Sequence, residues 1–208
     1  MRRIDGLKIL GLTGGIATGK SAVSGILREA GGLIIDADAI NHENMRPGGP
    51  AFAEILAFFG PGILAAGEID RKKFGAIVFA DREKLRALEI ITHGHIISRT
   101  EEILEAAKGR AFAVIDAPLL IESGVYKICG EVWLMKCREE TRVARLMARS
   151  GLSEPEARGR IAAQTPFDEL APFADRIIEN DGNMAELREK TMDCLNGFAQ
   201  WHIDCKLL

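Results

Sequence analysis

The segment between residues 14 and 21 reads Gly14-Gly15-Ile16-Ala17-Thr18-Gly19-Lys20-Ser21. It satisfies the pattern GxxxxGK[ST], whose glycines allow backbone N–H groups to turn inward around phosphate oxygens. An apolar run over residues 7–13 precedes it, and residues 20–30 follow with helical spacing. A buried strand, a glycine-rich turn and a helix in this order are the context in which the pattern binds phosphate. A glycine-rich turn with a chance Lys-Ser pair is the alternative interpretation.

This phosphate-binding loop (P-loop) predicts that the chain binds ATP together with Mg²⁺. All eight loop residues are expected to surround the phosphates, and the N-terminus of the following helix adds its dipole. Lys20 would neutralise the β- and γ-phosphates, while the Ser21 hydroxyl would ligate the metal ion.

Further apolar runs occur at residues 33–35, 111–115, 132–135 and 177–178. Helical patterns separate them, and strands that alternate with helices favour a mainly parallel sheet with helices on both faces. We therefore predict a three-layer α/β fold of the P-loop NTPase type. A final amphipathic helix is expected over residues 184–201.

The 208 residues are predicted to form one domain with two helical additions to its core. The core would comprise about residues 1–38, 108–137 and 165–208. A helical substrate-binding insertion would occupy about residues 39–107, and a helical lid about residues 138–164.

Local signals place helices within these additions. In the insertion, helical spacing covers residues 51–59, 71–79 and 81–107. The last of these helices is expected to break at Gly94. In the lid, a break at Ser150-Gly151 separates two helical stretches, and the second should begin with Ser153 as N-cap and Glu156 completing a capping box.

Carboxylates follow two of the predicted strands. Asp36 and Asp38 come directly after residues 33–35, and Asp116 follows residues 111–115. Ligands of open parallel sheets bind beyond the carboxyl ends of the strands, so these side chains should face the phosphate site. Either Asp36 or Asp38 could be a general base, and Asp116 could hold Mg²⁺ as a Walker B residue. Each could instead cap the helix or turn that follows it.

Four arginines share one face of a predicted lid helix, because four, three and four residues separate them. They are Arg138, Arg142, Arg145 and Arg149. Such a face could close over a triphosphate and stabilise the transferring phosphoryl group. Arg158 and Arg160 beyond the break are further candidates. For some of the six, the alternative is a solvated face paired with Glu139 and Glu140.

Two residue types in the insertion permit two interpretations each. His93 and His95 could bind substrate or satisfy a core position. The phenylalanines could line an apolar groove for a long acceptor or pack in the core. They are Phe52, Phe58, Phe59 and Phe74.

Composition narrows the choice of partners. The formal net charge of -3 gives no basic field, so neither nucleic acid nor a membrane surface is expected as a partner. The four cysteines form no CxxC pair, which predicts reduced thiols rather than zinc or disulfides. Neither a signal peptide nor a membrane span is expected. We therefore expect a cytoplasmic monomer that acts on a small molecule.

Several segments together resemble the dephospho-CoA kinase family, in order and over nearly the whole chain. Residues 12–21, LTGGIATGKS, are similar to its opening LTGGIGSGKS, and residues 35–38 match its IDAD. Residues 116–122, DAPLLIE, resemble its D-x-PLL-x-E segment, and residues 178–182, IENDG, resemble its I-x-N-x-G. Further matches are Arg145 with Arg149, Ala163-Gln164 and Ala174-Asp175.

The resemblance implies a nucleoside-monophosphate-kinase-like core with a five-stranded parallel sheet, a helical domain that holds dephospho-CoA, and a lid over ATP. The implied reaction moves the γ-phosphate of ATP to the ribose 3′-hydroxyl of dephospho-CoA, giving coenzyme A and ADP. Asp38 is implied as the base, Arg145 as the lid arginine nearest the transferring phosphate, and Lys20 as the third catalytic residue. The implied ATP contacts extend to Arg149, and the implied substrate contacts are Asp36, His93, Asp116 and Leu119.

The chain departs from the family pattern at three positions. Gly94 follows His93 where the family usually has proline, which would loosen the local bend. Phe167 and Leu170 stand where the family often carries basic residues. Arg158 or Arg160 is therefore expected to supply part of the phosphate contact.

Other functions predict residues that differ from those in this sequence. Another small-molecule P-loop kinase would not require the Asp36/Asp38 pair and the PLL segment together. A regulatory GTPase would carry an NKxD motif, but Asn180-Asp181 has no lysine between its two residues. An idle binding protein would be expected to lose Lys20 or Asp38, and both are present.

Overall fold

Strand β1 (Lys8–Gly14) lies at the centre of a five-stranded parallel sheet in the computed structural model, which describes residues 7–107 and 109–204. The other strands in chain order are β2 (Leu33–Asp36), β3 (Leu64–Ala65), β4 (Glu68–Ile69), β5 (Phe112–Asp116), β6 (Glu131–Lys136) and β7 (Arg176–Glu179). The sheet order is β2-β5-β1-β6-β7, while β3 and β4 form a separate antiparallel pair. The predicted α/β fold is confirmed.

Helices connect these strands. They are α1 (Lys20–Glu29), α2 (Ala37–Asn44), α3 (Phe52–Phe59), α4 (Arg71–Phe79), α5 (Arg82–Ala106), α6 (Glu139–Ser150), α7 (Glu154–Ala162), α8 (Phe167–Leu170) and α9 (Met184–Asp204). Short 3₁₀ helices cover Pro61–Ile63, Val125–Ile128 and Ala171–Phe173. Among the described residues, no helix is both long and apolar enough to cross a membrane.

The central strands are buried on both faces, which explains their continuous apolar runs. Apart from Lys8, every residue of β1 is buried. Trp133 on β6 is fully buried and packs edge-on against Phe198 of α9 at 6.3 Å between ring centroids. The Trp133 Nε1–H donates at 3.0 Å to Glu131, whose buried carboxylate also pairs with Arg176 at 2.7 Å. The charge of Glu131 is therefore compensated inside the core.

The chain divides into two compact units. The first unit ends at residue 35 and resumes at residue 107, and it contains the sheet, α1 and α6–α9. The second unit, residues 36–106, contains α2–α5 and the β3–β4 pair. A separate core forms in the second unit around Ile55 and Phe74.

The phenylalanines of the second unit have different environments. Phe74 is only 3% exposed and packs edge-on against Phe59 at 4.9 Å. Phe58, by contrast, is 60% exposed. Core packing therefore accounts for Phe74 and not for Phe58.

One expectation about secondary structure was wrong, and one pair of strands was not predicted. Helix α5 continues through Gly94, because one glycine in a helix interior costs only about 1 kcal/mol relative to alanine, too little to break a 25-residue helix. The β3–β4 pair was not predicted, since two-residue strands are too short to show an alternating pattern. The predicted break at Ser150-Gly151 is confirmed, with Gly151 in the left-handed region and a capping box at Ser153 and Glu156.

Candidate active site

The P-loop joins β1 to α1, and its backbone requires glycine at two places. Gly14 has φ 155° and Gly19 has φ 97°, conformations that other residues rarely adopt. A Cβ on Gly19 would lie 2.0 Å from Asn180 Nδ2. The loop also folds back on itself, since the Thr18 hydroxyl donates to the Gly15 carbonyl at 2.8 Å.

Lys20 and Asp116 meet beside this loop. Parallel pairing of β1 with β5 sets Leu12 opposite Asp116, so the carboxylate lies at the same sheet edge as the loop. Lys20 Nζ donates to Asp116 Oδ1, and the Ser24 hydroxyl donates to the other carboxylate oxygen at 2.5 Å. Both charged side chains are largely buried, at 17% and 9% exposure. A bound phosphate would therefore compete with Asp116 for the same ammonium group.

The outward carbonyl groups of the loop are bound by side chains from elsewhere in the first unit. Arg142 Nε donates to the Ile16 carbonyl at 2.9 Å, and Arg145 Nη1 donates to the Ala17 carbonyl at 3.3 Å. Asn180 Nδ2 donates to the Thr18 carbonyl at 2.8 Å. Each of these carbonyl oxygens, the negative end of a peptide dipole, points toward a side-chain donor. The three oxygens therefore do not face an incoming anion.

Gln164, two residues after the end of α7, binds to the same loop. Its Oε1 accepts hydrogen bonds from the Ile16 N–H and from Arg142 Nη2, each at 2.8 Å. Arg142 is half-buried, and this burial lowers the pKa of its guanidinium. Arginine nevertheless stays protonated in proteins, so a positive charge lies directly against the loop.

The predicted arginine face therefore has several uses. Arg142 and Arg145 bind the loop, and Arg145 also donates to the Asn180 carbonyl at 3.1 Å. Arg138 is 72% exposed and lies 3.5 Å from Asp181. Arg149 is exposed in the last turn of α6. The shared helix face does not give these four side chains one common function.

Arg158, beyond the break at Gly151, forms ion pairs instead of binding the loop. Arg158 pairs with Glu139 and Glu154, and these hydrogen bonds raise the pKa of its guanidinium. The solvated-pair interpretation thus describes Arg158.

Phe167 lies under the Lys136 ammonium at 5.5 Å, so this lysine brings positive charge to one of the positions where the family pattern has a basic residue.

Asp36, the last residue of β2, and Asp38 on α2 lie in the second unit. Asp36 is the N-cap of α2, and its Oδ1 accepts the Ala39 N–H at 2.9 Å. Asp38 lies in the first turn of the same helix and lines a cavity of about 570 Å³. Capping therefore describes Asp36, while Asp38 lies on the wall of this cavity.

The remaining predicted substrate residues occupy separate places. His93 is half-buried on α5, and His95 bonds to Glu54 at 2.8 Å. Leu119 is 56% exposed in the turn after β5. The Thr13 hydroxyl holds that turn by donating to the Pro118 carbonyl at 3.0 Å.

Three residues of the site had no predicted role. Ser24 lies one helical turn after Lys20, so its i,i+4 spacing could have indicated it. Gln164 and Asn180 lie 148 and 162 residues from the loop atoms that they bind, and no spacing rule connects such distant positions.

The oxygen atoms available to a metal ion are few. Ser21 is exposed in the first turn of α1, and Asp116 supplies a carboxylate. No group of three or more His, Cys, Asp or Glu side chains suited to a metal occurs in the described part of the chain. Mg²⁺ usually takes only one or two protein ligands and completes its shell with water and phosphate, so these residues fit it.

The described cysteines are free thiols. They are Cys129, Cys137 and Cys194, while Cys205 lies outside the described residues. Burial raises the pKa of Cys129 to about 12, and burial with a hydrogen bond to Asp181 raises the pKa of Cys137. Both thiols therefore remain protonated near neutral pH and are poor nucleophiles.

Comparison with known proteins identifies the family. Residues 8–186 match the family described as dephospho-CoA kinase, a range that includes the P-loop, the second unit, α6 and α7. The chain belongs to the dephospho-CoA kinase family. The family predicted from the sequence is thus confirmed, and a kinase of this family uses a nucleotide as phosphate donor.

Individual relatives agree with this assignment. A dephospho-CoA kinase of Symbiobacterium thermophilum is 46% identical over 202 residues, covering 96% of this chain and 82% of the relative. The solved structure of TT1252 from Thermus thermophilus has a TM-score of 0.81 at 32% identity, covering 92% of this chain and 97% of that one. A dephospho-CoA kinase structure from Campylobacter jejuni has a TM-score of 0.68 at 29% identity, covering 93% and 98% of the two chains.

Loss of the Asn180 side chain should reveal its action on the P-loop. Asn180→Ala leaves the Thr18 carbonyl without its donor, and a buried unsatisfied carbonyl costs about 1–3 kcal/mol of unfolding free energy. ATP affinity should fall as well, because the loop loses one of its outward anchors. Chemical denaturation and ATP titration measure the two effects.

Asn183→Ala is the matched control. Asn183 caps the start of α9 by accepting the Ala185 N–H at 2.9 Å, so its loss should cost about 0.5–2 kcal/mol of stability. Because Asn183 does not bind the loop in the structure, ATP affinity should be retained. Equal losses of ATP affinity in the two variants would contradict the anchoring role of Asn180.

Proposed function

We propose that the chain phosphorylates the ribose 3′-hydroxyl of dephospho-CoA with ATP and Mg²⁺, producing coenzyme A and ADP in the final step of coenzyme A synthesis. Membership of the dephospho-CoA kinase family supports the reaction. The observation that supports nucleotide binding is the P-loop itself. Three of its carbonyls accept hydrogen bonds from the side chains of Arg142, Arg145 and Asn180.

The P-loop is the proposed triphosphate site. Its backbone N–H groups other than those of Ile16 and Thr18, which donate to Gln164 and to the Gly15 carbonyl, would hold the phosphate oxygens together with the N-terminus of α1. Lys20 would neutralise the β- and γ-phosphates. As the phosphates enter, Lys20 would exchange part of its contact with Asp116 for a phosphate oxygen. Arg149 is the further proposed ATP contact.

Ser21 and Asp116 are the proposed holders of Mg²⁺. When bound, the ion screens the negative charge of the triphosphate and fixes its geometry. Asp116 is suited to this role, because Lys20 of the loop holds one of its oxygens and Ser24 of α1 holds the other, which fixes the carboxylate beside the loop.

Asp38 is the proposed general base. It would take the proton of the ribose 3′-hydroxyl while that oxygen forms a bond to the γ-phosphorus. The bond from the γ-phosphorus to the β,γ-bridging oxygen breaks at the same time, and ADP leaves with the electron pair. Asp36, His93, Asp116 and Leu119 are the other proposed acceptor contacts.

Arg145 is the proposed stabiliser of the transferring phosphoryl group. It already lies against the loop, where it bonds to the carbonyls of Ala17 and Asn180. A guanidinium in this place can redirect one of its donors to phosphate while keeping another on the protein.

We further propose that the chain acts as a monomer in the cytoplasm, without nucleic acid or membrane as partner.

A comparison of acceptors tests the proposed reaction. The full chain is incubated with ATP and Mg²⁺ and with dephospho-CoA, adenosine, AMP or gluconate, and each product is identified by mass. We expect dephospho-CoA to have the highest kcat/KM by a wide margin. Preference for another acceptor would keep the P-loop kinase fold and overturn the proposed substrate.

A further inference from the structure

Two arginines line a cavity of about 570 Å³ in the second unit. Arg46 and Arg71 both lie on its wall, and both reach the same nitrogen of His42. The Arg71 Nη2 is 2.7 Å from His42 Nε2, and the Arg46 Nη2 is 3.3 Å from it. One imidazole therefore gathers two guanidinium groups at the surface of the cavity.

The chemistry of this cluster defines its charge. Guanidinium groups only donate hydrogen bonds, so His42 Nε2 must accept, and the ring is neutral with its proton on Nδ1. That Nδ1 atom is buried and has no hydrogen-bond partner among the residues that the structure describes. The two positive charges repel each other, and protonation of His42 would add a third. An anion that bridges Arg46 and Arg71 would relieve this repulsion.

Acidic residues near the cluster do not neutralise it. Within residues 7–107 and 109–204, neither Arg46 nor Arg71 forms an ion pair with a carboxylate. Glu68 and Asp38 also line the cavity, but in the described part of the chain neither forms an ion pair with Arg46 or Arg71. The two arginines thus keep donors available for a ligand with several acceptor oxygens.

The cluster lies at a fixed spacing from the proposed base. Asp38 and His42 are four residues apart on α2, which places them one above the other on a single helix face, about 6 Å apart. Arg46 follows four residues later, just beyond the end of that helix. In a nucleotide, the 3′-oxygen and the 5′-phosphate are separated by one ribose, a span comparable with one helical turn.

Apolar side chains form another part of the cavity wall. Ile69, Phe74, Val78 and Leu88 contribute to it, and Phe74 and Val78 are each 3% exposed. A ligand bound by its phosphates at Arg46 and Arg71 could therefore lay an uncharged chain along this wall. Dephospho-CoA has this order of parts, with a 3′-hydroxyl, a diphosphate and a pantetheine arm.

We propose that Arg46 and Arg71, gathered by His42, bind the diphosphate of dephospho-CoA and so present the ribose 3′-hydroxyl to Asp38. This assignment rests on the proposed function. It makes Arg46 and Arg71 binding residues for the acceptor and His42 a positioning residue that acts through them. The diphosphate contacts are the same in ground state and transition state, so they affect binding more than turnover.

Alanine variants of the two arginines test the assignment. In the full chain, Arg71→Ala and Arg46→Ala should each raise the KM for dephospho-CoA roughly 10- to 100-fold, the range for one charge-assisted hydrogen bond. The kcat and the KM for ATP should change less than about threefold. Any slow turnover of adenosine, which lacks the diphosphate, should be the same in the variants as in the parent. Arg99→Ala is the matched control, since Arg99 pairs with Glu102 on an exposed part of α5.

His42 is tested by two substitutions. His42→Ala should loosen both arginines and raise the KM for dephospho-CoA, whereas His42→Gln retains a side-chain acceptor and should restore most of the affinity. Equal defects in the two variants would overturn the positioning role.

Calorimetric titration with dephospho-CoA separates this assignment from the proposed reaction. Binding by the parent chain that weakens at least tenfold in Arg71→Ala supports the diphosphate site, whether or not phosphate transfer occurs. Equal affinity of parent and variant, or no binding by the parent, overturns it. A parent chain that binds dephospho-CoA through Arg71 but transfers no phosphate would contradict the proposed reaction alone.

Discussion

Lys20→Ala should weaken ATP binding about 10- to 100-fold and lower kcat by about 10²- to 10³-fold. The ammonium group would contact the β- and γ-phosphates both before and during transfer, so its loss affects the ground state and the transition state alike. The substitution also leaves the largely buried Asp116 carboxylate with Ser24 as its remaining partner. ATP titration and steady-state kinetics with dephospho-CoA measure the two effects.

Arg28→Ala controls for the loss of a positive charge from the same helix. Arg28 is exposed in the last turn of α1, on the end away from the P-loop, and its removal should leave ATP binding within about twofold of the parent. An unchanged ATP affinity in Lys20→Ala would contradict the proposed phosphate contact.

Asp38→Asn should lower kcat about 10²- to 10⁴-fold while ATP affinity stays within about twofold of the parent. The carboxamide has nearly the same size as the carboxylate but cannot take the proton of the attacking hydroxyl. Single-turnover measurement of coenzyme A formation isolates this step from product release.

Asp70→Asn is the matched control. Asp70 caps α4 by accepting the Lys73 N–H at 3.0 Å, and asparagine caps a helix equally well. Its activity should therefore match that of the parent. Near-normal turnover in Asp38→Asn would remove Asp38 from the role of base.

The sequence predicts the sheet and the P-loop well, because both have strong local signals. The run before Gly14 is buried on both faces, and after Lys8 it has no charged residue and only Thr13 with a polar side chain, which makes β1 easy to recognise. The GK[ST] pattern then specifies where α1 begins. The capping box at Ser153 and Glu156 is also a strong local signal, because both of its residues lie within four consecutive positions.

The sequence predicts the partners of the loop less well. Arg142 and Arg145 were expected to face phosphate, but in the structure their donors also hold the carbonyls of Ile16 and Ala17. A pattern of arginines specifies a helix face and a charge, whereas the acceptor of each hydrogen bond depends on residues more than 120 positions away. The cluster of His42 with Arg71 was missed for the same reason, since a turn of α2 meets the start of α4 only after folding.

The most direct test is the identity of the product formed from equal amounts of ATP and dephospho-CoA with Mg²⁺. Mass spectrometry and phosphorus NMR report how many phosphates were added and to which oxygen. We predict one ADP for each coenzyme A, with the new phosphate on the ribose 3′-oxygen and none formed by the Asp38→Asn variant on the same timescale. Unmodified dephospho-CoA, or a phosphate on any other oxygen, would contradict the proposed function.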